Sequence, residues 1–293
     1  MEGTMKGKKW DVYVYGDVNI DLVVPGVSSL PKPGQEDEVP VMDTYVGGGA
    51  ALFALGIGKL GLHPVFQGEV GDDCYGELIR KEFAAKNIDD SLLETSRTEK
   101  TGISISFTNE KDRSFLTYRG TNAGISIDKV DIEGVKNASH IHMTGYEGSK
   151  NHAAYLSLLK RVKAETEATV SFDLGWDSTG EWNPQIKELF PYIDVLFMNE
   201  TEAIHYGRTK TAQEAAREFA KDCDRVVIKL GSSGSLAIEN GKEVFLPAYR
   251  VKAVDTTGAG DSFNAGFVYG FLTGKGLEEC LACGNACGAL NVT

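Results

Sequence analysis

The sequence predicts an α/β protein with a mainly parallel sheet that is covered by helices on both faces. From residue 139 onward, short apolar runs of strand length alternate with longer segments of helical periodicity. Residues 101–118 differ, because polar and apolar residues alternate on both sides of the polar turn 109–112. This pattern is typical of a β-hairpin with one solvated face. No repeat or linker divides the chain, so we expect one domain over residues 1–293.

The individual elements follow from the spacing of apolar residues along the chain. Strands are expected at 12–15, 64–68, 140–143, 168–173, 195–198 and 226–230, with short strands around Leu236 and Val244 and a strand end near Val254. Helices are expected at 50–60, 75–86, 150–164, 183–190, 200–206, 212–221, 259–272 and 277–290. Ligands of such folds bind beyond the carboxyl ends of the strands, so we expect the functional site at that edge.

The composition argues against several classes of function. The chain has 30 Lys+Arg and 42 Asp+Glu residues and a formal net charge of −12, so no nucleic-acid partner is expected. The longest apolar stretch, residues 50–57, is far shorter than the ~20 residues that span a bilayer, and no signal peptide is recognised. We therefore expect no membrane association. The odd number of scattered cysteines favours a reducing compartment, which predicts a cytoplasmic protein.

The sequence does not support either of two common phosphate-binding motifs. Residues 56–61 match G-x-G-x-x-G, but a helical run precedes them and a strand follows, which reverses the dinucleotide-binding order. A small-residue helix that ends at a glycine is therefore favoured there. No Gly-Lys pair is followed by Ser or Thr, so the Walker-type phosphate loop is absent from the sequence.

For the cysteine and histidine clusters, packing in the core is favoured over a metal site. Cys280, Cys283 and Cys287 fall on one face of an expected helix without a suitably spaced fourth ligand, so core packing is favoured. His140 and His142 alternate on one face of a strand that ends at the expected site. Packed core histidines are favoured, and a metal or substrate contact stays open.

Residues 255–261, with the sequence D-T-T-G-A-G-D, carry the strongest chemical signal. They lead from a strand into a helix, and the unpaired N–H groups of a helix N-terminus bind anions. Glycines let a phosphate approach the backbone closely. Asp261 would accept the proton of a hydroxyl that attacks a phosphoryl group, while the amides stabilise the developing charge. A capping role for Asp261 alone is the alternative, and it leaves Asp255 and both glycines unexplained.

Continued through Ser262 and Phe263, this segment resembles the signature of the ribokinase-like (PfkB-type) carbohydrate kinases. Further segments resemble family motifs in the same order along nearly the whole chain: G-D-V-N-I-D at 16–21, Gly47-Gly48, N-E-T-E at 199–202 and K-L-G-S-S-G at 229–234. The resemblance implies a ribokinase-like fold in which residues 18–46 and 101–119 form a small β lid. Because such lids are often also dimer surfaces, a homodimer is expected.

The resemblance also implies roles for individual residues. Asp261 would be the catalytic base. The anion hole would consist of the amides of Gly258, Ala259 and Gly260. The implied sugar-binding residues are Asn19, Asp21, Gly47 and Gly48. The implied ATP-binding residues are Asn199, Glu202, Lys229, Gly231, Ser232, Gly234 and Asn285. Glu202 would help to place Mg²⁺ indirectly, and Asp255 would hold a monovalent cation such as K⁺.

Departures from the family pattern bear on the substrate. Leu52 stands where the family usually has an Asn that contacts sugar hydroxyls, and Gly145 stands where ribokinases carry a Glu. Ribose should therefore be rejected or bound poorly. Arg119 closes the hairpin and either meets an anionic or polar substrate group or is a solvated surface charge. Relatives continue beyond the position of Thr293 with a loop that completes the cation and adenine sites, so we expect a missing tail or altered sites.

From these residues we expect a kinase that uses ATP and Mg²⁺ to phosphorylate a primary hydroxyl of a small sugar or sugar derivative. A nucleoside kinase of the same fold would use nearly all of the same residues and is the nearest alternative. A non-catalytic regulator that binds sugar or nucleotide is the alternative from another class. Such a regulator would not need the base Asp261.

Overall fold

A nine-stranded sheet organises the protein in a computed structural model that describes residues 7–27, 31–108, 113–253 and 255–293. The strands are β1 (Trp10–Tyr15), β2 (Asn19–Pro25), β3 (Asp43–Gly47), β4 (Pro64–Gly71), β5 (Asp89–Ser96), β6 (Gly102–Thr108), β7 (Arg113–Tyr118), β8 (Ala138–Thr144), β9 (Thr169–Asp173), β10 (Val195–Asn199), β11 (Arg225–Lys229), β12 (Ser235–Glu239) and β13 (Lys242–Leu246). The helices are α1 (Gly49–Lys59), α2 (Cys74–Ala85), α3 (Ile132–Lys136), α4 (His152–Glu165), α5 (Glu200–Gly207), α6 (Ala212–Phe219), α7 (Ala259–Leu272) and α8 (Leu277–Asn291).

The large sheet has the strand order β13-β12-β11-β10-β9-β8-β1-β4-β5. The strands from β11 to β5 run parallel to their neighbours, and β12 and β13 are antiparallel at the other edge. The central strands are buried on both faces, which explains why β1 and β10 are nearly continuous apolar runs. The predicted fold class, a mainly parallel sheet, is confirmed.

Helices cover both faces of this sheet. Because successive side chains of a strand point to opposite faces, β1 contributes to two cores. Tyr13 and Tyr15 pack with helices α3 to α6, and Val12 and Val14 pack with α1, α2, α7 and α8. Within the described ranges, no helix combines the length and the apolar character needed to cross a membrane.

A second, smaller sheet has the strand order β3-β2-β6-β7. Its central strands β2 and β6 are parallel, with Asn19 opposite Gly102, and β3 and β7 add antiparallel strands at the edges. The predicted hairpin is confirmed as β6 and β7, and the sheet is lid-like. The turn at 109–112, residues 28–30 of the other predicted lid segment and the predicted strand end at Val254 lie outside the described residues.

Three elements differ from the sequence prediction. The helix predicted at 183–190 is wrong, because this segment forms two short 3-10 turns, Pro184–Glu188 and Phe190–Tyr192. Pro191 removes a backbone donor and disfavours the α conformation of the residue before it, which breaks the helix. Strand β5 was not predicted, since it is a polar edge strand that pairs only with β4. Helix α3 was also not predicted, because its five residues are too few to show a helical period.

Candidate active site

The amino ends of α1 and α7 meet at the carboxyl edge of the large sheet. Asp17, which follows β1, accepts hydrogen bonds from the amides of Gly49 and Ala50 at 3.0 and 3.1 Å, and so caps α1 from another segment. A Cβ atom on Gly49 would lie 3.4 Å from Oδ1 of Asp261 in α7. Because Gly49 has no side chain, Asp261 lies close to the first turn of α1.

The start of α7 is the predicted anion-binding segment. Gly258 precedes the helix with a φ of 71°, in the left-handed region that favours glycine. Gly258 has no side chain that could cap this helix, and Asp261 is the third helical residue, where its carboxyl group interacts with its own backbone amide. One of the three predicted amides is already engaged, since the N–H group of Ala259 donates to the carbonyl of Thr256 at 3.3 Å.

A lysine ammonium lies beside this helix end. A Cβ atom on Gly260 would lie 3.4 Å from Nζ of Lys229. Nζ lies 2.6 Å from Oδ2 of Asp173, and the same oxygen accepts a hydrogen bond from Nδ2 of Asn264 at 2.6 Å. No sequence motif marks Asp173 or Asn264, because their contact joins residues 91 positions apart in the chain. A polar residue at the carboxyl end of an apolar strand is the one signal that would have selected Asp173.

Burial and neighbouring charges bring Asp261 into the neutral pH range. Burial is the largest cause, the charge of Asp173 adds to it, Lys229 opposes it and Asp17 adds to it again, so the pKa of Asp261 is raised to about 7. A carboxyl group with this pKa is suited to exchange a proton near pH 7. Burial lowers the pKa of Lys229, but the charge and hydrogen bond of Asp173, together with the charges of Glu202 and Asp261, outweigh it, so the pKa of Lys229 is raised.

Asn199 and Glu202 form a reciprocal capping box at the start of α5. The Asn199 amide donates to Oε2 of Glu202 at 2.8 Å, Nδ2 of Asn199 donates to Oε1 at 2.7 Å, and the Glu202 amide donates to Oδ1 of Asn199 at 2.9 Å. Glu202 is only 4% exposed, and burial together with the charge of Asp173 raises its pKa to about 7. Asn199 pairs with Lys229 across β10 and β11, so these predicted phosphate-side residues lie together.

The predicted sugar-binding residues also come together, where β2 and β3 of the smaller sheet pair. Nδ2 of Asn19 donates to Oδ1 of Asp21 at 2.7 Å, which orients that carboxyl group. A Cβ atom on Gly47 would overlap the same carboxyl group. Gly48 has a φ of 96°, and a Cβ atom there would lie 2.6 Å from the carbonyl oxygen of Asp17. Gly48 therefore requires glycine, whereas a side chain at Gly47 would displace the Asp21 carboxyl group.

A cavity of about 730 Å³ opens beside these residues. Its lining includes Asp21, Leu52, Asp255, Thr257 and Asn291. Leu52 also reaches the start of α7, since a Cβ atom on Gly258 would lie 2.9 Å from Cδ1 of Leu52. Oδ1 of Asp255 accepts hydrogen bonds from the amide and the hydroxyl of Thr257, both at 2.8 Å. The cavity wall next to the predicted anion site is therefore apolar at Leu52.

Two residues predicted to affect specificity lie apart from this wall. Arg119 is exposed and its Nη2 donates to the carbonyl of Asn122 at 3.3 Å, so its contact with a substrate stays a prediction. Gly145 follows β8 with a φ of 85°, and a Cβ atom there would meet nothing within 4 Å. The protein thus leaves open space at Gly145.

A second cavity, of about 700 Å³, lies between the end of β13 and the start of α8. Its lining includes Leu246, Tyr249, Gly276, Ala282 and Asn285. Nδ2 of Asn285 donates to the carbonyls of Leu246 and Pro247, both at 3.3 Å. Residues Gly231–Ser233 form a 3-10 turn, and Gly234 follows with a φ of 118° and packs against Pro247. The predicted nucleotide-side residues after Lys229 therefore adjoin this cavity.

The two histidines lie in the core. Oγ of Ser171 is 2.7 Å from Nε2 of His140 and from Nδ1 of His142, and the ring of His142 stacks on Phe53. Burial lowers the pKa of both histidines to about 3, so both are neutral. The favoured interpretation as packed histidines is confirmed. In the part of the chain that the structure describes, no three His, Cys, Asp or Glu side chains are grouped to hold a metal.

Transfer of a phosphoryl group to a hydroxyl needs a proton acceptor, a counter-charge for the phosphoryl oxygens and a means to exclude water. Asp261, Lys229 and the smaller sheet lie at the edge of the large sheet where such groups are expected. On a mainly parallel α/β sheet with such a lid, they define a class of protein: the ribokinase-like phosphotransferases that act on an alcohol group.

The chain belongs to the pfkB family of carbohydrate kinases, whose family model matches residues 9–293. An uncharacterised sugar kinase of Archaeoglobus fulgidus is 32% identical over 235 residues, 79% of this chain and 92% of that protein. A 5-dehydro-2-deoxygluconokinase of Bacillus velezensis is 29% identical over 301 residues, 98% of this chain and 89% of that protein. The structure of Arabidopsis thaliana ribokinase complexed with ribose and ATP matches with a TM-score of 0.82 and 28% identity, over 97% of this chain and 92% of that chain. The predicted family is confirmed.

Proposed function

We propose that the protein is an ATP-dependent sugar kinase that transfers the γ-phosphoryl group to a primary hydroxyl of a small sugar or sugar derivative. The position of Asp261 carries this proposal. Its carboxyl group lies in the first turn of α7, beside Lys229 and the first turn of α1, with a pKa of about 7. A regulator that only senses ligands has no use for such a group at an anion-binding helix end, whereas phosphoryl transfer needs it.

Asp261 acts as the general base in the proposed reaction. The acceptor hydroxyl oxygen forms a bond to the γ-phosphorus, the bond from that phosphorus to the β–γ bridging oxygen breaks, and the hydroxyl proton passes to Asp261. ADP leaves with the electron pair of the broken bond. The amides of Gly258 and Gly260 and the ammonium of Lys229 stabilise the charge on the transferring oxygens.

The two cavities suggest where the two substrates bind. We place the adenine end of ATP in the cavity beside Asn285, and its phosphates along the turn after Lys229 toward the start of α7. We place the sugar in the cavity beside Asp21, where the Asp21 carboxylate accepts hydrogen bonds from its hydroxyls and the Asn19 side-chain amide also contacts them. This arrangement puts the γ-phosphoryl group between the two cavities.

Magnesium fits the phosphate-side residues through water rather than directly. Both carboxylate oxygens of Glu202 already accept hydrogen bonds from Asn199, and Mg²⁺ usually keeps several waters and binds few carboxylates. When bound, Mg²⁺ would neutralise charge on the triphosphate. We also propose that Asp255 helps to hold a monovalent cation such as K⁺ beside the start of α7.

Leu52 makes ribose an unsuitable acceptor. A hydroxyl that faces Leu52 loses its hydrogen bonds to water and gains none from the protein, which costs binding energy. The relative from Bacillus velezensis is named for an acceptor that lacks one hydroxyl. We therefore infer that the acceptor presents a deoxy carbon or another apolar group toward Leu52.

A panel of acceptors tests the proposed function. ADP release with Mg²⁺ and K⁺ would be measured for pentoses, hexoses, deoxy sugars, sugar acids, sugar phosphates and nucleosides. We expect turnover on at least one sugar or sugar derivative and poor turnover on ribose. Turnover on nucleosides alone would favour the nucleoside kinase. Intact ligand binding without ADP release on any acceptor would favour a regulator.

A further inference from the structure

We propose that Asp173 is a positioning residue that aims the ammonium of Lys229 at the transferring phosphoryl group. This inference rests on the kinase function proposed above. Asp173 ends β9, and neither the signature segment nor the other family-like motifs include it.

The contacts of Asp173 fix Lys229 from two sides. Oδ2 of Asp173 lies 2.6 Å from Nζ of Lys229 and 2.6 Å from Nδ2 of Asn264. Asn264 belongs to α7, the same helix whose first turn carries Asp261. Asp173 therefore ties the lysine of β11 to the helix that binds the phosphoryl group. Without this tie, a four-carbon lysine side chain has many rotamers and no single direction.

The direction is set toward the predicted anion site. Nζ of Lys229 lies 3.4 Å from the place where a Cβ atom of Gly260 would be. The ammonium thus lies alongside the backbone of the first turn of α7. A phosphoryl group held by these amides would meet the positive charge of Lys229 without any movement of the side chain, which is the preorganisation that lowers a barrier.

Stability alone does not explain this arrangement. Asp173 is 6% exposed, and a buried ion pair costs desolvation that well-packed apolar residues would avoid. Among the described residues, Oδ1 of Asp173 and Oδ1 of Asn264 are buried without a hydrogen-bond partner. Buried acceptors without partners are unfavourable in the free protein. A group that costs stability at the site of the chemistry is typical of a functional arrangement.

Removing the charge of Asp173 and removing the charge of Lys229 should shift the pKa of Asp261 in opposite directions. The charged groups that face Asp261 are Asp173 from β9, Lys229 from β11 and Asp17 from the segment after β1. Loss of the negative charge of Asp173 lowers the pKa of Asp261, whereas loss of the positive charge of Lys229 raises it. The acid limb of the pH profile of kcat should therefore shift to lower pH when Asp173 loses its charge and to higher pH when Lys229 loses its charge.

The experiment compares Asp173→Asn, Lys229→Met and the double variant with the wild-type protein. Thermal unfolding, ATP affinity by calorimetry, kcat and the pH profile are measured for each. We expect Asp173→Asn to lower kcat by about 10²-fold and to weaken ATP binding, with the acid limb shifted down. We expect the double variant to regain thermal stability, because no unpaired charge stays buried, but not to regain kcat or ATP affinity.

Asp177→Asn is the matched control. Asp177 is a buried carboxyl group in the loop after β9 and accepts hydrogen bonds from the amides of Thr179 and Trp182 at 2.9 and 2.7 Å. Its loss is expected to affect unfolding without shifting the acid limb.

Two results would overturn the inference. One is a folded Asp173→Asn variant with wild-type kcat and ATP affinity, and the other is a double variant that regains both. ATP affinity does not require turnover, so the inference is tested even where no acceptor of the panel reacts.

Discussion

Asp17, Asp21 and Asp261 share one chemistry but differ in their surroundings. Asp17 accepts two amides of α1, and Asp21 accepts a hydrogen bond from Asn19. Burial, together with the charge of Asp173, raises the pKa of Asp261 to about 7. A carboxyl group with a pKa in this range suits the proposed role of Asp261 as the group that exchanges a proton.

The raised pKa predicts how activity depends on pH. Asp261 accepts a proton only when it is deprotonated, so kcat/KM for the acceptor should fall as the pH drops through about 7. The profile is measured at saturating ATP, with ATP affinity followed over the same range as a control for binding. An acid limb near the ordinary carboxyl pKa of about 4 would contradict the assignment.

The apolar side chain of Leu52 leads to a prediction about acceptor specificity. Leu52→Asn supplies a hydrogen-bonding group at the apolar wall, so kcat/KM for ribose should rise by about tenfold or more, while the preferred acceptor loses activity. Leu55→Asn is the matched control, because Leu55 lies one turn further along α1 and lines the same cavity. Equal effects of both substitutions on ribose would argue against Leu52 as the specificity residue.

At the scale of elements, the ends of the helices hold the site together. Asp17 caps the start of α1, whereas Gly258, the residue that precedes α7, has no side chain to cap that helix. Two first-turn amides of α1 are already engaged by Asp17, so we expect the phosphoryl group at the start of α7. The left-handed Gly258 shapes this end and touches Leu52.

Gly258→Ala is predicted to lower kcat strongly. The new Cβ atom would adopt an unfavourable φ of 71° and lie 2.9 Å from Cδ1 of Leu52, so the first turn of α7 would shift. The control is Gly274→Ala at the other end of α7, where φ is 75° and a Cβ atom meets nothing within 4 Å. Both variants should lose thermal stability, but only Gly258→Ala should lose activity beyond about tenfold. Wild-type kcat in Gly258→Ala would refute this role.

The elements also show what the sequence could predict. The bounds of α7 at 259–272 were predicted correctly, because a glycine start and an apolar helical period mark them locally. The prediction of a helix at 183–190 was wrong, because the apolar spacing is helical but Pro191 lacks the N–H donor that an α-helix needs. Asp173 and Asn264 were missed because their contact depends on how β9 and α7 pack, which no local pattern records.

In the whole molecule, the chain passes directly from strands of the large sheet into strands of the smaller sheet. Strand β2 follows β1, and β6 follows β5, so both central strands of the smaller sheet continue from strands of the large sheet. A cover that extends from the carboxyl edge can exclude water from the reaction there. The net charge of −12 does not oppose the proposed binding of ATP, because backbone amides and Lys229 would face its phosphates.

A homodimer through the smaller sheet stays a prediction, and it has a direct test. Phe115, Leu116 and Tyr118 of β7 are about half exposed, as is Tyr45 of β3. Light scattering coupled to gel filtration should show a dimer for the wild type and a monomer for Leu116→Glu, because a buried charge at an apolar interface is unfavourable. Phe245→Glu, at the far edge of the large sheet, should leave the dimer intact. A monomeric wild type would contradict the prediction.

The assignment of Asp261 as the base is the central claim, and Asp261→Asn tests it most directly. Turnover of the best acceptor and ATP affinity are measured side by side, with Asp194→Asn at the amino edge of the sheet as the control substitution. We expect Asp261→Asn to lower kcat by about 10³-fold and to leave ATP affinity unchanged, because the amide cannot accept the proton but still fits the site. Near wild-type turnover in Asp261→Asn would contradict the account.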